Sequence, residues 1–237
     1  HRSITGWPGG KPNSDDNERP ERSMPKKKRV LIFSPHPDDD VISMGGTFDR
    51  LVSQNHEVHV AYQTSGNIAV NNSDVLKYIE VFNTTFCDYK NKNEEFIQLL
   101  KNNKDIINDP RIREIASIIR EKESLASTRF IGIPDNHVHF LKLPFYETGT
   151  IKKNIPSISD KKIILKIISE IKPHQIYAAG DLADPHGTHK VCLDILFDSL
   201  KDLKGKPFMK DCWVWLYRGA WHEWPIHEIN MAVPMSP

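Results

Sequence analysis

The chain has 237 residues, and its 32 Lys and Arg nearly balance 31 Asp and Glu, for a formal net charge of +1. This near-neutral charge excludes a strong electrostatic attraction to nucleic acid or to an anionic membrane. The hydrophobic share of 38% excludes wholesale disorder, and no apolar run approaches the roughly 20 residues that span a bilayer.

Residues 1–29 differ in composition from the rest of the chain. Glycine and proline interrupt any periodicity there, and the segment ends in the basic run KKKR. Because this run is short and has no interleaved aromatic residues, a surface arm or interdomain linker is favoured over a nucleic-acid-binding segment. We therefore predict a linker over 1–29 and one domain over 30–237.

From Val30 onward the pattern predicts a strand, a helix and a second strand. VLIFS is a short apolar run bounded by Pro35, DVISMGGTFDRLVSQN places apolar side chains on one helical face, and EVHVAYQTS is the next strand. A strand, a helix and a strand within about 35 residues form a βαβ unit, which implies a parallel sheet covered by helices.

The rest of the chain continues this alternation. Residues 71–127 predict a helical insertion with two apolar faces, one of Val75, Ile79, Phe82 and Phe86 and one of Ile112, Ile115 and Ile119. Four segments are predicted as strands, namely RFIGI, HVHF, HQIYAAG and CWVWLY. Two are predicted as helices, the isoleucines from 163 to 171 and HGTHKVCLDILFDSL. The predicted fold is a single Rossmann-like α/β domain, with a mostly parallel β-sheet, helices on both faces and an N-terminal arm.

Two polar segments follow two of these strands. SPHPDDDV contains His36, Asp38, Asp39 and Asp40, and GDLADPHGTHK contains Asp181, Asp184, His186 and His189. Ligands bind at the carboxyl ends of the strands in open parallel sheets, so we expect both segments to face one cleft. Helix capping and solvated histidines would explain either segment alone. Together, two imidazoles and a carboxylate favour a three-ligand site for a divalent metal.

PHPDDDVISMGGT resembles the signature of the PIG-L/LmbE-like superfamily of zinc-dependent de-N-acetylases, and HGTH resembles the second, histidine-containing motif of that superfamily. Its members remove acetyl groups from N-acetylglucosamine-containing substrates. The resemblance runs from about Arg29 to beyond Tyr217. It implies a zinc-dependent hydrolase that releases acetate from an N-acetylated amino sugar, with a small molecule rather than nucleic acid or membrane as its partner.

The resemblance also implies a role for each residue of the two motifs. His36, Asp39 and His189 would be the zinc ligands, Asp38 the general base and His186 the group that stabilises the oxyanion. Ser43 and Asp135 stand where the family's motifs have substrate contacts, with turn or cap chemistry as the alternative. Tyr146 is a further candidate for binding sugar hydroxyls, and Arg218 one for holding an anionic group, although packing beside tryptophan would also explain the arginine.

Two positions depart from the family pattern. Asp40 stands where the family usually has Glu, and Thr188 stands where it often has Asp, which leaves Asp184 as a candidate to orient His186. The alternative is therefore a catalytically weak or inactive sugar-binding or regulatory domain. Two histidines and a carboxylate also describe non-haem iron oxygenases, but these usually lie on jelly rolls rather than on alternating strands and helices.

The N-terminal arm carries a further resemblance. GWPGGKPNSDDNERPE followed by KKKRVLIFSPHPDDDVISMGGTF is similar to the C-terminal part of bacterial glucosamine-6-phosphate deaminase-like proteins, in which a de-N-acetylase-like domain follows a sugar-phosphate isomerase-like one. This implies a covalent fusion to a deaminase-like domain. The widely spaced Cys87, Cys192 and Cys212 and the lack of an apolar leader in the first residues predict a cytoplasmic location.

Overall fold

The structure is a computed structural model that describes residues 27–85, 94, 97–98, 100–102, 109–148 and 152–233. Residues 1–26 of the predicted arm, Phe86 and Cys87 lie outside the described residues. Strands and helices alternate along the chain in the order β1 Arg29–Ser34, α1 Asp39–Ser53, β2 Glu57–Tyr62, α2 Asn72–Thr85, α3 Pro110–Phe130, β3 Val138–Phe140, α4 Ile158–Ile171, β4 Gln175–Ala179, α5 Thr188–Leu203 and β5 Trp213–Tyr217.

The five strands form one sheet in the order β3-β2-β1-β4-β5, and every neighbouring pair is parallel. The chain builds outward from β1 through β2 to β3, then returns to place β4 against the other side of β1. The direction of winding therefore reverses between β1 and β4, and such a reversal opens a crevice at the carboxyl ends of the two strands. The predicted Rossmann-like α/β class is confirmed, and the described sheet is parallel throughout.

Helices cover both faces of the sheet. On one face Leu31 and Phe33 of β1 pack with residues of α4 and α5, and on the other Val30 and Ile32 pack with α1. All four side chains are fully buried, which explains why β1 is a continuous apolar run rather than an alternating one. Each such burial contributes roughly 1.5–3 kcal/mol to folding.

The segment predicted as a helical insertion forms α2 and α3. These helices share a third apolar cluster that contains Val75, Ile79, Ile112 and Ile119, as their periodicity predicts. Phe82, predicted on the same face, is exposed; the buried residue in the last turn of α2 is Asn83. Across the described residues, no helix has both the length and the apolar character needed to cross a membrane.

The predicted strand RFIGI is not a strand. Helix α3 continues to Phe130, and the chain then turns at Gly132, whose φ of 90° lies in the left-handed region that glycine adopts without steric cost. The amide of Ile133 donates back to the carbonyl of Thr128, at 2.9 Å, in a pattern that ends helices. A strand would have needed a neighbour in the sheet, whereas these residues satisfy their hydrogen bonds within the helix end.

Candidate metal centre and active-site cavity

Three of the predicted site residues meet at the crevice between β1 and β4. His36 follows β1, Asp39 begins α1 and His189 lies in the first turn of α5. One potential ligand atom from each residue lies within 4.8 Å of the others. Asp39 Oδ2 lies between the two imidazoles, 3.2 Å from His36 Nδ1 and 3.1 Å from His189 Nε2. The structure thus brings together the residues that the sequence predicts as metal ligands.

The turn after β1 sets the direction of the first two side chains. Pro37 restrains His36 to extended backbone, so α1 cannot begin until the chain has turned. The amide of Asp38 donates to the His36 carbonyl at 2.9 Å, and the His36 amide donates to Asp39 Oδ2, also at 2.9 Å. The carboxylate of Asp39 therefore closes the turn and faces the imidazole of His36.

Asp184 organises the second motif. Its Oδ1 accepts from the His186 amide at 2.8 Å, and its Oδ2 accepts from the amides of Thr188 and His189 at 2.7 and 3.1 Å. These are amides at the start of α5 that would otherwise have no partner within the helix. The sequence predicts Asp184 as a candidate to orient the His186 ring, whereas in the structure its contact is with the main chain of His186.

The ring of His189 is held by the carbonyl of Asp181. That oxygen lies 3.2 Å from His189 Nδ1, and because a carbonyl can only accept, Nδ1 carries the proton. In the neutral ring the lone pair is then on Nε2, which points towards Asp39. Outer contacts of this kind fix the tautomer of histidines that ligate metals.

The electrostatics of the cluster also fit a cation. Burial alone would raise the pKa of Asp39, but its contacts with His189 and His36 outweigh burial and hold that pKa well below its usual range. Burial conversely lowers the pKa of His189, and Asp39 raises it by more. His189 Nε2 is buried, and among the described residues it has no partner with hydrogen-bond geometry. When the imidazole is neutral, its lone pair and the facing carboxylate oxygen form a donor set suited to zinc or another divalent ion.

Asp38 lies beside the cluster but is not part of it. Its side chain is 41% exposed, and its Oδ2 lies 2.8 Å from Nη2 of Arg120 in α3. Arg120 lies outside both motifs and is not among the predicted site residues. The available signal was a stripe of polar residues at helical spacing, namely Arg113, Ser117, Arg120 and Ser124, of which the first, second and fourth are buried.

The three predicted ligands, Asp38 and Arg120 line a cavity of about 760 Å³, whose wall also includes His186, Tyr146 and Lys153. The ring of Tyr146 stands edge-on to His36, with centroids 6.0 Å apart. Lys153, a second cavity residue outside the predicted set, donates to the carbonyl of His186 at 2.9 Å and contacts Thr188 Oγ1. The segment that carries His186 is therefore tied to Asp184 on one side and to Lys153 on the other.

The other predicted substrate contacts do not line this cavity. Ser43 and Arg218 line a separate cavity of about 1270 Å³ between α1, β5 and the segment after β5. The Arg218 guanidinium packs 3.7 Å from the ring centroid of Trp224, which agrees with the packing alternative. Asp135 lies on the surface and pairs with Arg129, at 2.8 and 2.5 Å.

Asp40, the third carboxylate of the first motif, points away from the cluster into the domain. It is fully buried and accepts a hydrogen bond from the Tyr62 hydroxyl at 2.8 Å. Burial raises its pKa to about 6. The substitution of Asp for the family's Glu therefore affects a buried hydrogen bond rather than the cavity wall.

Sequence comparison gives a family match and a close relative. The model of the family described as PIG-L, GlcNAc-PI de-N-acetylase, matches residues 31–199. A protein of Bacteroides thetaiotaomicron named glucosamine-6-phosphate deaminase-like protein is 54% identical to this chain over 246 aligned residues. The match covers 99% of this chain and 37% of that protein, so the chain spans well under half the length of this curated relative.

Solved structures share the fold at low identity. An N,N'-diacetylchitobiose deacetylase from Pyrococcus horikoshii has a TM-score of 0.54 and 20% identity, over 86% of this chain and 64% of that one. The conserved protein TT1542 from Thermus thermophilus has a TM-score of 0.51 and 16% identity, over 84% and 69% of the two chains. A 4-carboxy-2-hydroxymuconate hydratase from Pseudomonas putida has a TM-score of 0.50 and 13% identity, over 76% and 59%. At these identities the likeness shows the fold alone, and a fold hosts more than one reaction.

Proposed function

The chain belongs to the PIG-L family, and from that membership we propose that it is a zinc-dependent hydrolase that removes the acetyl group from an N-acetylated amino sugar. The observation that carries the proposal is the meeting of His36, Asp39 and His189 at one point, with Asp38 beside them in the same cavity. The products are acetate and a free amine.

Hydrolysis of an acetamide needs an activated water molecule, a stabilised oxyanion and a proton for the departing nitrogen. His36, Asp39 and His189 would hold the metal, which supplies Lewis-acid polarisation and a lowered pKa for water when it is bound. The remaining requirements fall to side chains of the chain itself.

Asp38 is proposed as the general base. Its carboxylate lies on the cavity wall next to the ligand cluster, where it can accept a proton from the attacking water and return it to the amine nitrogen. The contact with Arg120 at 2.8 Å restrains the carboxylate without removing it from the cavity. A base held in one orientation loses less entropy when the reacting groups assemble.

His186 is proposed to stabilise the oxyanion. It lines the same cavity, and its main chain is held by Asp184 and Lys153. A donor that is already aimed at the developing charge needs no reorganisation, and removal of such a donor costs about 3 kcal/mol of transition-state stabilisation. Tyr146 is the predicted substrate contact that remains in this cavity, so the proposal retains it there.

The substrate class rests on the family and on the close relative. The name of that relative refers to glucosamine 6-phosphate, and the predicted linker over 1–29 fits a covalent fusion to a deaminase-like domain. We therefore place the substrate in amino-sugar metabolism. A cytoplasmic location remains part of the proposal.

The test is acetate release by the zinc-loaded protein. N-acetylglucosamine, its 6-phosphate and the β-1,4-linked disaccharide of N-acetylglucosamine form the panel, and bound zinc is measured on the same sample. Zinc-dependent release from one of them, lost on chelation and restored by zinc, supports the proposal. If zinc binds and none of the panel releases acetate, the assignment to amino-sugar deacetylation is wrong.

A sugar-binding domain without activity is the second candidate. Thr188 and its contact with Lys153 favour it, because they replace the carboxylate that the resemblance leads one to expect between the two histidines. Calorimetry combined with the acetate assay separates the two candidates. A binding domain binds the sugar in the presence of zinc and releases no acetate.

A further inference from the structure

Lys153 is half-buried in the wall of the metal-centre cavity, although it lies outside both motifs. Its Nζ donates to the carbonyl of His186 at 2.9 Å and to Oγ1 of Thr188, so one ammonium contacts the turn at the start of α5 at two points. It also lies 5.5 Å from the ring centroid of Tyr146, a distance at which an aromatic ring attracts a cation. Burial lowers the pKa of Lys153, because the cavity withdraws its charge from water. Lys153 is therefore a cross-link within the cavity wall rather than a solvated surface charge.

The segment that carries Lys153 is itself fixed by hydrogen bonds on both sides of this residue. After it, the Asn154 amide donates to the carbonyl of Phe145 at 2.8 Å, and Phe145 is buried in the core. Before it, the Thr148 hydroxyl donates to the carbonyl of Lys152 at 2.7 Å. The place of the ammonium is thus set by the connection between β3 and α4, and not by the turn that the ammonium contacts.

His186 is held at both of its main-chain polar groups. Its amide donates to Asp184 Oδ1 at 2.8 Å, and its carbonyl accepts from Lys153. Gly187 lies between the two groups that Lys153 contacts, and its φ of 68° is in the left-handed region that glycine adopts without steric cost. Because the peptide planes on both sides of His186 are fixed, the direction of its Cα–Cβ bond is fixed too. The ring then has only the staggered rotamers of one fixed backbone to choose from.

We propose that Lys153 is a positioning residue for His186, and that together with Thr188 it holds the turn in the geometry in which the imidazole faces the reacting acetamide. This inference rests on the proposed function for the role of His186. A donor stabilises the developing charge best when it needs no reorganisation, which requires that the turn behind it be held to within about 0.5 Å. Thr188 is then part of the active site rather than a sign of lost activity, because its hydroxyl is the second acceptor for the ammonium.

An ammonium suits this task because it carries three donors and no acceptor. It can therefore bind a carbonyl and a hydroxyl of one turn without competing for the amides that Asp184 accepts. The two contacts of the turn also differ in what else they touch. Asp184 bonds the amide of the ligand His189, whereas Lys153 makes no polar contact with a proposed metal ligand among the described residues. Loss of Lys153 should therefore disturb His186 and spare the metal.

The first test is the steady-state rate of acetate release by the zinc-loaded protein. Lys153→Met removes the charge and the donors, and it should lower kcat by about tenfold to a hundredfold while KM stays within about twofold. Zinc content, measured on the same preparation, should not change. Lys162→Met, at an exposed position on α4 outside the cavity, is the matched control and should keep the parent rate. Thr188→Ser, which keeps the hydroxyl, should retain more activity than Thr188→Val, which removes it.

A double-mutant cycle distinguishes positioning from a direct contact with substrate and from a general loss of stability. His186→Ala alone should lower kcat by about a hundredfold to a thousandfold. Addition of Lys153→Met should cause little further loss, because the residue through which the lysine acts is already gone. Multiplication of the two losses in the double variant would overturn the inference. Loss of zinc in Lys153→Met would also overturn it, since the lysine would then act on the metal centre.

The ring of His186 offers a readout that does not depend on turnover. In zinc-loaded protein with isotope-labelled histidine, the ring signals of His186 are those missing from the spectrum of His186→Ala. Lys153→Met should shift them, whereas Lys162→Met should leave them in place. Shifted signals together with no acetate release from the whole sugar panel would contradict the proposed function and retain the role of Lys153. Unchanged signals in Lys153→Met would overturn that role, whatever the variant does to turnover.

Discussion

Asp39 is the residue on which the centre depends. Its Oδ2 accepts from the His36 amide, faces the His36 ring and faces His189 Nε2, so one oxygen joins a turn after β1 to a helix after β4. Without a cation, this buried oxygen is balanced by the imidazoles, whose contacts hold the pKa of Asp39 low against the effect of burial. With a cation, the same atoms become ligands with little rearrangement, which is the reason to expect tight binding.

Replacement of His189 with Ala should abolish stoichiometric zinc. The substitution removes one of three ligands and leaves two, which is too few for a closed site. Zinc per chain, measured by elemental analysis after dialysis, should fall from about one to near zero. His59→Asn serves as the matched control, because His59 is also buried but lies on β2 outside the cavity. Full zinc content in His189→Ala would contradict the ligand assignment.

Asp38→Asn should retain zinc and lose most turnover. The carboxamide keeps the size and the neighbour of the carboxylate but cannot accept the proton of water, so kcat should fall by about a hundredfold or more. Acetate release and zinc content are measured on one preparation, with Asp49→Asn, an exposed position on α1, as the control. Hydrolysis at the parent rate would show that another group is the base.

At the scale of elements, the centre is assembled from the starts of two helices that follow adjacent strands. Each helix start is closed by a carboxylate: Asp39 closes the turn before α1, and Asp184 caps the first amides of α5. Both carboxylates accept from main-chain amides, Asp39 in the turn before α1 and Asp184 at the start of α5, and in doing so they orient the segments that carry His36 and His189. At α5, helix capping and site geometry are thus one feature of the structure.

Asp184→Ala should therefore weaken both stability and metal binding. Loss of the cap leaves three amides without their acceptor and should lower the free energy of unfolding by about 1–2 kcal/mol. The looser start of α5 should also reduce zinc affinity, since His189 lies in that turn. Urea unfolding of the metal-free protein and a zinc titration measure the two effects. Asp184→Asn, which keeps a cap oxygen, should restore much of each; equal effects from both variants would contradict the capping role.

At the scale of the whole molecule, the sheet has two chemically different ends. The carboxyl ends of β1 and β4 carry the cluster, and the amino ends carry histidines that accept hydrogen bonds from the main chain. His56 Nδ1 accepts from the Lys28 amide at 3.2 Å, and His174 Nδ1 accepts from the Arg29 amide at 2.9 Å. Burial, reinforced by nearby Lys28, lowers the pKa of His56 to about 4, and burial with Arg29 and Lys28 does the same for the pKa of His174.

The metal-free domain should lose stability as the pH falls from about 6.5 towards 4. In this range the unfolded chain binds protons at these histidines while the folded chain does not, so acidification favours unfolding. Protonation would also remove the acceptor that each Nδ1 offers. Urea unfolding at pH 7.5, 6.0 and 5.0 measures the slope. His174→Gln should flatten it relative to the parent, and an unchanged slope in both His56→Gln and His174→Gln would contradict this account.

The chain by itself determined the alternation of strands and helices and the two motifs at strand ends. Both are local properties. The periodicity of apolar residues determines whether a segment is a strand or a helix, and the polar residues after VLIFS and HQIYAA stand at the carboxyl ends of their strands whatever place those strands take in the sheet. Knowledge that parallel strands share their carboxyl ends was then enough to predict that the two motifs face one cleft, and the resemblance to the family singled out His36, Asp39 and His189 within them. The prediction of a strand at RFIGI was wrong because a helix end that contains glycine and a short strand have similar local composition.

Tertiary structure alone decided which further side chains share the cavity. Arg120, Lys153 and Trp221 come from three separate parts of the chain, a helix and two connecting segments, and no local pattern relates them to the motifs. Ser43 and Arg218 line a different cavity, where Gly219 approaches Ser43 closely and the Arg218 guanidinium packs on the ring of Trp224. The direction of a side chain after a strand depends on what packs against the turn that carries it, and that contact joins residues far apart in sequence.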